Sequence, residues 1–282
     1  MNESILFKRQ RAWLSGGASL VFAAIFALAG CGGVGTGGTG SFTALSGYAA
    51  DGYLVNATVF LDKHGNYQWD GVEPSATTDA NGAYTLNVDP ADVGKYPIVV
   101  LALAGKTIDK DNNPGMTPLT SSYVFSMPAA AVSGTAGSNF VSPMSSMVRE
   151  LMETGNYATM QQAMDALNAQ MGLAAGTDVM VDYMATSNTT LHTVAQDMVT
   201  LMASQMSQIL STNGSTTTVD VNRYRAMMGT IFTDIPSMMG SNSQGAMAAL
   251  IGAMTTTVSN IPATGAGQPF KNMSAAFRGG MM

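Results

Sequence analysis

Six side chains between positions 62 and 73 carry donor atoms at a spacing that suits a hard cation. Asp62, His64, Asn66, Gln68, Asp70 and Glu73 stand at relative positions 1, 3, 5, 7, 9 and 12. Ca²⁺ takes about six to eight oxygen ligands, and alternate residues of a tightly curled loop turn their oxygens inward. Position 7 of such a loop serves through its backbone carbonyl, so Gln68 need not be acidic. Two residues depart from the pattern. Tyr67 occupies position 6, where a glycine normally allows the sharp turn, and the glycine sits instead at Gly65. His64 offers nitrogen, which suits calcium poorly. His64 is therefore read as an exposed loop residue, and the candidate ligands are Asp62, Asn66, Gln68, Asp70 and Glu73. The alternative is a solvated polar turn rich in Asp, Asn and Gly.

The elements that position this loop are strands. Residues 57–61, Ala-Thr-Val-Phe-Leu, form an alternating β-run, so the loop leaves a strand and not a helix. The ligand spacing resembles that of an EF-hand loop without its flanking helices. The stretch ATVFLDKHGNYQWDGVEP followed by TTDANGAYTLNV resembles the calcium-binding B-type repeats of bacterial surface adhesins. It is also similar to the transthyretin-like or carboxypeptidase-regulatory-like β-sandwiches. The resemblance covers about forty residues and implies Ca²⁺ held by Asp62, Asn66, Asp70 and Glu73.

The amino terminus speaks to location. Lys8, Arg9 and Arg11 precede an apolar run over residues 18–29, which ends in Leu28-Ala29-Gly30-Cys31. A basic start, a short apolar stretch and small residues make a secretory signal, too short to persist as a spanning helix. The last four residues resemble the lipobox of bacterial lipoproteins. That resemblance implies cleavage before Cys31, diacylglycerol on its thiol and an acyl chain on its new amine. Gly32 follows with no aspartate beside it, so the resemblance favours the outer membrane. The bilayer is then the first partner, and residues 32–40, GGVGTGGTG, are a flexible tether. Cys31 is the single cysteine, which excludes an internal disulfide and a thiolate cluster.

With 282 residues, 46% apolar and 11% charged, the chain is long and apolar enough for two ordinary domains. The net charge is −6, and it becomes −8 once residues 1–30 are removed. Nine acids against four lysines lie between Asp51 and Asp111. This balance excludes nucleic acid as a partner, because phosphate neutralisation needs many basic groups.

Six or seven short strands are expected over residues 42–126, with a hairpin across Asn81-Gly82 and a second acidic turn at Asp109-Lys-Asp111. Residues 128–141 read as a small-residue linker. Helical periodicity then takes over, at 143–153, 158–173, 189–210, 220–232, 244–258 and 270–277, with Asn213-Gly214 ending the third helix and Pro236 a breaker. Twenty of the 23 methionines lie from Met144 onward. They coincide with the apolar faces, where Met stands in for Leu. The Met198/Met202/Met206 ladder also presents soft sulfurs, so it is a candidate face for copper or for a partner.

The expected fold is thus α+β in two domains, a small antiparallel β-sandwich at 42–127 followed by a Met-rich α-helical bundle at 142–282. Only His64 and His192 offer imidazole, and no nucleophile elbow, zinc-protease pair, Walker loop or dinucleotide fingerprint is present. The expectation is a non-catalytic, membrane-anchored lipoprotein with a structural calcium loop and an adhesive or partner-binding role. An envelope accessory factor, using the Met-rich helices for partner docking or copper handling, is the alternative. An envelope or surface protein is the further expected partner.

Overall fold

The computed structural model describes residues 41–263 apart from 112, 214–215 and 240–242. Strands come first: β1 (Thr43–Ala49), β2 (Leu54–Val55), β3 (Thr58–Leu61), β4 (Ser75–Thr77), β5 (Ala83–Val88), β6 (Ile98–Ala102), β7 (Ile108–Asp109), β8 (Tyr123–Met127) and β9 (Asn139–Val141). Then follow α1 (Pro143–Glu153), α2 (Met160–Gln170), α3 (Thr189–Ile209), β10 (Leu210–Asn213), β11 (Thr216–Val219), α4 (Val221–Met238) and α5 (Ser243–Asn260). The architecture is α+β, as the sequence leads one to expect.

Two larger sheets are formed, one four-stranded in the order β4-β3-β6-β8 and one three-stranded in the order β5-β1-β9. Alternation along β1 buries Leu45 and Ala49, and along β5 it buries Tyr84, Leu86 and Val88, so each strand gives one face to the core. The expected all-antiparallel pattern is broken at one place, where β9 runs parallel to β1 with Gly47 opposite Asn139. The approach is close: a Cβ on Gly47 would fall 1.9 Å from the Asn139 carbonyl oxygen. Only glycine fits there.

β6 is buried at each of its positions, as a central strand covered on both faces must be. β8 is equally buried although it stands at the edge of its sheet. Its outward backbone groups are met by helical side chains. Tyr224 donates its hydroxyl to the Val124 carbonyl at 3.0 Å, and Ser146 Oγ accepts the Ser126 N–H at 2.8 Å. Ser145 donates to the Ser126 carbonyl at 2.6 Å. A sheet edge that would otherwise invite another strand is thereby closed by α1 and α4.

This closure bears on the boundary expected at 128–141. Residues 139–141 within it are a strand of the three-stranded sheet. Strands and helices share one buried apolar cluster. Met144, Met147, Met198, Met202 and Met227 are wholly enclosed in it. Flexible thioethers fill irregular gaps in such a core.

Three local expectations are corrected. No ladder joins β4 to β5 across Asn81-Gly82; they belong to different sheets. Asp79 Oδ1 accepts the N–H groups of Asn81 and Ala83, and this side-chain cap redirects the chain. The third helix has already ended at Ile209, and Asn213 lies in β10, which pairs antiparallel with β11. Pro236 lies within α4, which continues to Met238 because Phe232, Ile235 and Met238 bury that face. The helix expected at 270–277 lies outside the described residues.

Candidate metal centre

The loop of residues 62–73 is built largely by its own side chains. Its base is closed by the Leu61 N–H donating to the Pro74 carbonyl at 3.0 Å and the Asp62 N–H to that of Pro97 at 2.9 Å. Asp62 accepts the Asn66 N–H at Oδ1 (3.0 Å) and the Tyr67 N–H at Oδ2 (3.1 Å). Asn66 Oδ1 accepts the Gln68 N–H at 2.9 Å, and Asp70 Oδ1 accepts that of Val72 at 3.0 Å. Glu73 reaches back so that its Oε1 accepts the Lys63 N–H at 2.7 Å.

Tyr67 takes the left-handed backbone that a glycine at this position would supply, with φ of 57°. For a bulky residue that conformation costs on the order of 1–2 kcal/mol. It persists because the side chain is fully buried, with its ring 4.9 Å from that of Tyr224 and the Arg149 guanidinium 3.9 Å above it. Its hydroxyl donates to Glu150 Oε1. The residue that weakens the loop's likeness to a calcium site is therefore the loop's anchor in the helices.

Of the five expected ligands, Asp70 and Glu73 come together. Their companion is His64, which the sequence reading set aside. His64 Nδ1 lies 3.2 Å from Asp70 Oδ2 and 3.3 Å from Glu73 Oε1. Ligand atoms of these three residues all fall within 4.8 Å of one another. Asp62 and Asn66 spend their side-chain oxygens on loop amides, and Gln68 gives its N–H to Asn66. The Glu73 side chain is 1% exposed, and its Oε2 has no hydrogen-bond partner. Burial raises the Glu73 pKa against the pull of the Lys63 N–H, and the nearby Asp62 and Asp70 carboxylates raise it further.

Behind the loop lies an ion network that sequence reasoning missed. Asp62 Oδ2 meets Arg149 Nη2 at 3.2 Å, and Arg149 Nε meets Glu153 Oε1 at 2.8 Å. Arg225 from α4 meets Glu150 Oε2 at 3.0 Å and also pairs with Glu153. Both arginine side chains are 1% exposed, so these charges have exchanged water for one another. Burial pushes Glu150 upward against the opposing pull of Arg225. Glu153, despite the cost of its burial, is held below its usual range by Arg149 and Arg225. A cavity of about 430 Å³ opens between loop and network, lined by Asp62, Lys63, His64, Tyr96, Arg149 and Arg225 among others. The available signal was three charged residues, Arg149, Glu150 and Glu153, within one helix of a chain poor in charge.

The second acidic turn docks on α3. Asp111 Oδ2 lies 3.0 Å from His192 Nε2 and accepts from Gln196. Asp51 is 3% exposed, its Oδ1 lacks a partner, and burial with the Asp109 and Asp111 charges pushes its carboxyl well above the usual range. Burial likewise moves Asp109 up to about 6.

The other expected sites divide simply. Met198 and Met202 are fully enclosed and Met206 is 3% exposed, so this ladder is core. Cys31 lies outside the described residues. None of the helices among the described residues is long and apolar enough to cross a membrane. Comparison of the chain with protein-family models, curated proteins and solved structures gave no match.

Proposed function

We propose that the chain is a non-catalytic, lipid-anchored protein of the bacterial cell envelope whose loop at 62–73 takes up a divalent cation for a structural, adhesive role. The observation that carries this reading is Glu73, a buried carboxylate with one unpartnered oxygen beside Asp70 and His64. An ionised carboxylate in such a place is costly unless something positive meets it. A bound cation would tie the start of the loop to its end. The same loop sends Asp62 and Tyr67 into the network with α1 and α4. Cation binding would then stiffen the docking of sheets on helices. Calcium is the ion that the residue spacing suggests.

The two larger sheets are read here as the layers of a β-sandwich, and the Met-filled helices as the bundle that braces it. The anchor rests on Leu28-Ala29-Gly30-Cys31 and the basic, apolar stretch before it. Ion counting after dialysis against Ca²⁺ and, separately, Zn²⁺ tests the cation. One ion per chain, lost in the Asp70→Asn/Glu73→Gln double variant, is expected; no bound ion with either metal would sink the reading. Labelling with a radioactive fatty acid tests the anchor, which Cys31→Ser should abolish.

A further inference from the structure

The donors that converge in the loop differ in kind from those its spacing suggests. We propose that His64, Asp70 and Glu73 form a site for a zinc-class divalent ion, with one nitrogen and two carboxylates as ligands and a fourth position open to water. The inference rests on the reading that this loop takes up a cation, and it changes both the ion and the ligand set.

Three observations carry it. The first is donor chemistry: imidazole nitrogen suits Zn²⁺ and its transition-metal neighbours, whereas Ca²⁺ needs about six or more oxygens. The oxygens that would make up that number are engaged, those of Asp62 by two loop amides and Arg149, and Oδ1 of Asn66 by the Gln68 amide. The second is spacing. Ligands held about 2.0–2.1 Å from a tetrahedral ion stand about 3.3 Å apart. His64 Nδ1 is 3.2 Å and 3.3 Å from the two carboxylate oxygens. The third is Glu73: its Oε1 accepts the Lys63 N–H, but its Oε2, on a side chain 1% exposed, is unpartnered and remains available to an ion. Two carboxylates and a neutral imidazole balance a doubly charged ion. His64 and Asp70, 55% and 32% exposed, leave a path for it from solvent.

The test is calorimetric titration of the metal-free full chain with Zn²⁺ and with Ca²⁺, beside His64→Gln. That variant changes a half-exposed side chain, so it should melt with the parent when metal-free. One Zn²⁺ per chain is expected, weakened at least about tenfold by His64→Gln. Co²⁺ should give the intense visible absorption of a tetrahedral site, lost in the same variant. Calcium binding that His64→Gln leaves unchanged, with no zinc site, would overturn this inference and leave the cation loop standing. Binding of neither metal would overturn both, and the three side chains would be a hydrogen-bonded cluster only. Zinc binding that survives the His64→Gln/Glu73→Gln pair would place the ion elsewhere and overturn the assignment.

Discussion

Tyr67 holds the loop by two means, a buried ring and a hydroxyl directed at a buried carboxylate. Tyr67→Phe keeps the ring and leaves Glu150 short of a donor, so a loss of about 1–3 kcal/mol is expected in urea unfolding. Tyr67→Ala removes the ring as well and should cost about 3–5 kcal/mol. Asp51 works the other way. Its folded pKa exceeds the unfolded value, so its contribution is fully present below the ordinary aspartate value of 3.8 and is lost as pH rises through the raised one. Asp109 has the same sign, with its loss falling between 3.8 and about 6. Asp51→Asn should therefore raise stability at neutral pH by about 1–3 kcal/mol, by removing a buried, unpaired charge. Melting temperature measured from pH 4 to pH 8 should be flatter in the variant; a variant less stable than the parent at pH 7 would contradict this. At this scale the sequence was partly legible. Spacing singled out Asp70 and Glu73, which do lie together beside His64. The pairing of Asp62 with Arg149 was not legible, because Arg149 stands 87 residues away in the chain.

Elements meet here through polar side chains as much as through apolar ones. α1 carries Ser145 and Ser146 to the edge of β8, and Arg149 to Asp62. Arg149→Met should cost about 3–5 kcal/mol, because it leaves Asp62 buried without its cation. Adding Asp62→Asn to that variant should recover part of the loss, a coupling that a double-mutant cycle reads directly. Close approach of β1 to β9 makes Gly47→Ala destabilising by more than about 2 kcal/mol, since backbone must move to admit the methyl group. Alternation and helical periodicity gave the strands and helices their places. They did not show β9, a three-residue strand among small residues whose pairing with β1 depends on Gly47. The two Asn-Gly pairs look alike locally. At the first, the Asp79 cap turns the flanking strands into separate sheets.

For the molecule, the closing of the β8 edge by helices and the shared core predict that strands and helices unfold as one body. Tryptophan fluorescence and far-ultraviolet circular dichroism should report coincident urea transitions. Separate transitions for strand and helix content would support the division expected at residues 128–141. That division was suggested by a change of composition, and composition changes again inside one core when methionine replaces branched residues. The central claim is that a divalent ion in the loop supports this body. It is tested most directly by thermal melting of the full chain with chelator and with Zn²⁺ or Ca²⁺ added back. At about a hundredfold excess over the dissociation constant, an ion bound only to the folded state adds about 2.7 kcal/mol. For a body of this size that corresponds to roughly 5–10 °C. A rise of that order, abolished by Glu73→Gln, is the predicted result. Identical melts with chelator and with either metal would contradict the claim.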